Sequence, residues 1–69
     1  MALMRVEAEQ EEDGRWIGEV PDLPGVLAYG ASEDEARTKA VALAFRVIGE
    51  RLERGEPVPI DLRDFFLAA

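Results

Sequence analysis

Any chemistry done by this chain would have to run on carboxylates. It has no histidine and no cysteine. That removes the commonest general base near neutral pH, the commonest nitrogen ligand and every thiolate. Glu7, Glu9, Asp13, Asp22 and Glu56 are the acids that a Mg²⁺-dependent nuclease would have to gather, because hard divalent cations take oxygen ligands. Their spacing does not force them together. Glu7 and Glu9 alternate along a surface strand, Asp13 belongs to a turn and Asp22 to a proline-rich corner. Ser32 is used as a helix cap and Thr38 lies on the helix, so no nucleophile–base pair is evident. No glycine-rich phosphate loop or zinc spacing occurs. The expectation is a protein that is not an enzyme, with no catalytic, cofactor or metal residues.

The elements that would position these acids are legible from alternation and punctuation. Met4, Val6 and Ala8 share one face of a first strand over 3–10, with Arg5, Glu7 and Glu9 on the other. Asp13-Gly14 signals a hairpin. A second strand over 15–20 follows, with Trp16, Gly18 and Val20 on one face and Ile17 and Glu19 opposite. Gly18 leaves room for a bulky neighbour or a close backbone approach. Pro21-Asp22-Leu23-Pro24-Gly25 is a corner in which Pro24-Gly25 suits the middle of a type II turn, and Leu23 plugs the end of the core. A third strand over 26–30 ends at Gly30. Both connections are too short for a parallel crossover, so the three strands form an antiparallel meander.

Ser32 and Glu35 make a capping box at the start of a helix over 33–54, and Arg51, Arg54, Gly55 and Pro57 mark its end. Ala36, Ala40, Leu43, Ala44 and Val47 form one apolar stripe. Val41, Phe45, Ile48 and Leu52 form a second, rotated by more than a quarter turn. A three-stranded sheet is too narrow to hide both. Either the apolar tail of Phe65, Phe66 and Leu67 returns to cover the second stripe, or a second chain does. Gly49 either permits a close helix contact or sits on a tolerant polar face. In so small a domain the balance favours a homo-oligomer, a dimer or higher, with Val41, Phe45, Ile48, Leu52, Phe65 and Phe66 at the interface. Pro57 and Pro59 leave an edge strand over 58–62. The fold class expected is α+β, a three-stranded meander on one long helix with a short fourth edge strand (β-β-β-α-β), as one domain over 1–69.

Fifteen acidic against eight basic residues leave a net charge of -7, and the basic residues are scattered from Arg5 to Arg63. Phosphate backbones want clustered Lys and Arg, so direct DNA binding is not expected. A basic protein partner is favoured instead. On charge alone the partner surface is Glu7 and Glu9 with the turn residues Glu11 and Glu12. The first residues run straight into the strand pattern, and no run approaches membrane-spanning length. A cytoplasmic setting without membrane contact is therefore expected.

Several motifs in order resemble the amino-terminal domain of the HicB-like antitoxin family. They are Glu12-Asp13-Gly14 followed by Trp16, Pro21-Asp22-Leu23-Pro24-Gly25, Tyr29-Gly30, Ser32-Glu33-Asp34-Glu35-Ala36, Ala40, and Gly55-Glu56-Pro57-Val58-Pro59, spread over roughly 4–62. The resemblance implies a partial ribonuclease-H-like fold. It also implies an antitoxin that covers, and so neutralises, a small basic mRNA-cleaving toxin. The family pattern often adds a carboxy-terminal DNA-binding domain, for which this chain has no room. The alternative is an orphan stand-alone structural or regulatory domain without enzymatic activity.

Overall fold

In the computed structural model, which describes residues 4–67, the strands are set by their turns. The Glu11 carbonyl accepts from the Gly14 N–H (3.0 Å), and the Glu11 N–H donates to the Arg15 carbonyl (2.7 Å). Gly14 has φ of 91°, and no described non-glycine residue has a positive φ. The connection is therefore a three-residue loop closed by a left-handed glycine, not a two-residue turn with both centres left-handed. It fixes the antiparallel pairing of β1 (Glu7–Gln10) with β2 (Trp16–Glu19), in which Glu7 faces Glu19, Ala8 faces Gly18 and Glu9 faces Ile17.

The proline corner is two turns in series. The Leu23 N–H donates to the Val20 carbonyl, the Val26 N–H to the Leu23 carbonyl and the Val20 N–H to the Val26 carbonyl, each at 3.0 Å. Pro24 followed by Gly25 at φ 89° makes the second a type II turn. β3 (Leu27–Gly30) then pairs antiparallel with β2, giving the order β1-β2-β3. The first strand is shorter than the alternation suggests, and Leu3, its expected start, lies outside the described residues. Extending the register would set Arg5 against Pro21, which has no N–H to give the ladder. Met4 and Val6 still pack on the core from outside the sheet.

Helix α1 (Glu33–Glu53) is capped at both ends as its sequence indicates. Ser32 Oγ accepts from the Glu35 N–H (3.1 Å), while Glu35 Oε1 reaches back to the Ala31 N–H (3.2 Å) and also accepts from Lys39 Nζ (3.1 Å). At the other end Gly55, at φ 72°, donates to Leu52, and Glu56 donates to Arg51. That is the paired bonding of a Schellman motif, and Pro57 turns the chain away behind it.

The helix lies on the sheet almost backbone to backbone. A Cβ added to Gly18 would overlap the Ala36 carbonyl, and one added to Gly30 would stand 2.5 Å from the Ala36 nitrogen. The small side chains continue across the sheet, where Ala8, Gly18 and Ala28 stand in one cross-strand row. They continue along the helix through the buried Ala36, Ala40 and Ala44. Farther along, Val20, Leu23, Val26 and Ile48 fill the space between helix and sheet, with Leu23 fully buried.

Two expectations are corrected at the carboxy-terminal end. Residues 58–62 form no strand, because Pro57 and Pro59 lack N–H groups and the arm runs beside the helix instead of along a sheet edge. Val58 and Ile60 pack against the core, after which Asp61 caps a single 3₁₀ turn, Leu62–Asp64. The order is therefore β-β-β-α. Ile48, placed by its spacing in the interface stripe, is instead buried in the chain's own core at 5% exposure.

The close contact dictates that Gly18→Ala and Gly30→Ala each destabilise the domain by about 3 kcal/mol or more, because the atoms in the way are backbone and cannot repack. Gly49→Ala, where an added Cβ meets nothing within 4 Å in the single chain, should stabilise the monomer, at concentrations too dilute for self-association, by about 1 kcal/mol. Urea unfolding of the three variants checks both directions. Chain-end capping gives a pH dependence. Hydrogen bonding to Lys39, then to the Ala31 N–H, holds the Glu35 carboxyl below its ordinary 4.5. A lowered folded value means stability that is full above the unfolded value and lost as pH falls through the folded one. Glu35→Gln should flatten that acid-side loss in urea midpoints measured from neutral to strongly acidic pH.

Candidate functional site

The face of the sheet turned away from α1 carries the acids. Because the pleat alternates, Glu7, Glu9, Arg15, Ile17, Glu19, Leu27 and Tyr29 all point outward. The register sets them in two cross-strand rows, Glu7–Glu19–Leu27 and Glu9–Ile17–Tyr29. Glu7, Glu9, Glu11 and Glu19 surround Ile17 in a shallow hollow of about 300 Å³. Toward β3 the surface becomes apolar, with Leu27 41% and Tyr29 45% exposed. The Arg15 guanidinium lies 4.4 Å from the centre of the Tyr29 ring and pairs with Asp13 at 2.7 Å. Hydrogen bonds from the Arg15 backbone, then from its side chain, hold the Asp13 carboxyl below its ordinary 3.8.

Of the four acids expected at the partner surface, Glu7, Glu9 and Glu11 are brought together. Glu12 does not line that hollow but sits with Glu11, Asp13, Arg15 and Tyr29 around a second one. Glu19 joins the group and was not expected there. Only the three-residue loop length places it opposite Glu7, and a two-residue loop would have turned it elsewhere. Like charges directly opposed on neighbouring strands are unfavourable. The Arg5–Glu7 pair at 3.8 Å offsets this only weakly, since both groups are well exposed.

The carboxylates considered for metal chemistry do not converge. Glu7 and Glu9 are on the outer sheet face, Asp13 is held by Arg15, Asp22 is in the corner, and Glu56 lies beyond the helix within 3.8 Å of Arg54. Among the described residues no three acids are grouped to hold a metal ion, and no polar or charged side chain is buried. No described helix is long and apolar enough to cross a membrane. The outer face of the sheet thus has a carboxylate-rich half beside an apolar half. Comparison with protein-family models, curated proteins and solved structures finds no match.

Removing one of the opposed charges should relieve strain in the free domain. Glu19→Gln is expected to raise stability by about 0.2–1 kcal/mol. The gain should shrink with added salt, which screens exposed charges. Thermal melts at low and high ionic strength check it.

Proposed function

We propose that this domain acts by binding and not by catalysis, and that the outer face of its sheet docks a basic protein surface. The observation that carries the reading is the Glu7–Glu19 opposition within the Glu7, Glu9, Glu11 and Glu19 group. The isolated domain holds these charges at a cost, and a cationic partner turns that cost into attraction. Ile17, Leu27 and Tyr29 beside them supply apolar area that charge alone lacks, and an exposed tyrosine is a frequent binding anchor. The motif resemblance supports the specific form of this proposal. In that form the domain is an antitoxin working in the cytoplasm, and it neutralises a small basic mRNA-cleaving ribonuclease by covering its surface.

The test is to look for a small basic protein encoded beside this gene and, where one is found, to titrate it calorimetrically against the domain, with RNA cleavage by that protein as a second readout. Binding tighter than micromolar, weakened by salt, and loss of cleavage at one equivalent are expected. Glu7→Lys/Glu19→Lys should weaken binding by about a hundredfold, and Tyr29→Ala by about tenfold or more, without unfolding the domain. Two folded proteins that do not bind at micromolar concentration would leave the domain an orphan structural or regulatory module.

A further inference from the structure

The face of α1 opposite the sheet is uncovered. Thr38, Ala42, Phe45, Gly49 and Leu52 are all exposed, and they recur at spacings of four, three, four and three, the seam of a helix–helix pair. Val41 and Ile48, one position to the side, are turned toward the chain's own arm. The arm walls one flank of the seam, where Phe45, Leu52, Ile60, Phe65 and Phe66 line an apolar hollow of about 250 Å³. The other flank is open and carries Arg46 and Glu53, both exposed. Arg37, Lys39 and Arg54 each pair with a glutamate four residues earlier on the helix. Among the described residues neither Arg46 nor Glu53 has an ion-pair partner.

We propose that a second copy of this chain covers this face, with the two helices antiparallel and crossing at Gly49 about a twofold axis. Three observations select that occupant. The first is area. The exposed portions of Phe45, Leu52, Leu62, Phe65 and Phe66, ranging from 38% at Leu62 to 75% at Phe66, come to roughly 550 Å² at about 150–250 Å² for a whole aromatic residue. A monomer's largest apolar patch is about 300–600 Å². Two such surfaces together come to roughly 1,100 Å², above the about 1,000 Å² that a specific interface has to clear.

The second observation is charge. A twofold perpendicular to both helix axes sets positions equally far before and after the crossing point opposite each other on the same flank. Arg46 lies three residues before Gly49 and Glu53 four after it, so Arg46 of each chain meets Glu53 of the other. The outer sheet face, with four clustered glutamates, has no such self-complementarity. The third is clearance: the Cβ position of Gly49 is empty for 4 Å, so backbones can approach there. The overall extents of 48 × 23 × 15 Å describe a thin slab, and pairing through α1 thickens it to four layers with both acidic faces outward.

Sedimentation equilibrium from low to high micromolar concentration is the first measurement, with circular dichroism as a control for folding. A dimer is expected. Arg46→Glu and Glu53→Arg should each raise its dissociation constant about tenfold or more, since each change replaces two attractions by two repulsions, and the double variant should restore it. Within one chain these residues are seven apart, about 10 Å along the axis, too far for an internal pair to explain the rescue. Because the chain has no cysteine, Gly49→Cys should oxidise to a linked dimer. Thr38→Cys should not, its copies being about 33 Å apart across the axis. A monomer at high micromolar concentration overturns the proposal, as does a dimer with no rescue and no crosslink at position 49.

Discussion

The helix can lie on this sheet only because Gly18 and Gly30 have no side chains. Their Cα atoms sit where an added Cβ would strike the Ala36 backbone, so the first turns of α1 are held at the closest approach that two backbones allow. Everything else takes its position from that contact. Beyond it the space between helix and sheet is filled by Val20, Leu23, Val26 and Ile48. The contact also means that the core is dominated by small and branched aliphatic residues. Dispersion contacts between closely apposed surfaces replace the aromatic bulk that a larger domain would bury.

Two layers have two outer faces, and this chain treats them differently. The outer sheet face is acidic with an apolar margin; the outer helix face is apolar, with Arg46 and Glu53 exposed along one flank. Neither is disposed to bind the other, since four carboxylates have nothing to gain from Phe45 and Leu52.

Most of the fold was legible wherever one residue type has one physical use. Asp13-Gly14, Pro24-Gly25, Ser32 with Glu35, and Gly55 before Pro57 each mark a terminus or turn through a backbone requirement that few other residues meet. What escaped depends on distant parts of the chain. Glycine at a strand end reads as a stop, so the helix contact of Gly30 was hidden. Ile48 sits at a spacing shared by both stripes, and only the path of the arm over Val58 and Ile60 turns it inward. The arm alternates like an edge strand, yet Pro57 and Pro59 withhold the donors a ladder needs. At the acidic face Glu7, Glu9 and Glu11 were visible by charge, whereas Glu19 required the register, which one loop residue decides.

The proline corner has a kinetic side. Its three hydrogen bonds join residues no more than six apart, and the two prolines remove much of the freedom that closing such a loop would otherwise cost. It therefore orders with little help from the rest of the chain, and it carries Leu23, the largest fully buried side chain. A preformed corner with its apolar plug already exposed gives the incoming helix something to collapse onto. It also holds β2 and β3 at the separation they keep in the finished sheet. In a chain whose strands pair only with sequence neighbours, that makes 20–26 a segment whose closure costs little entropy.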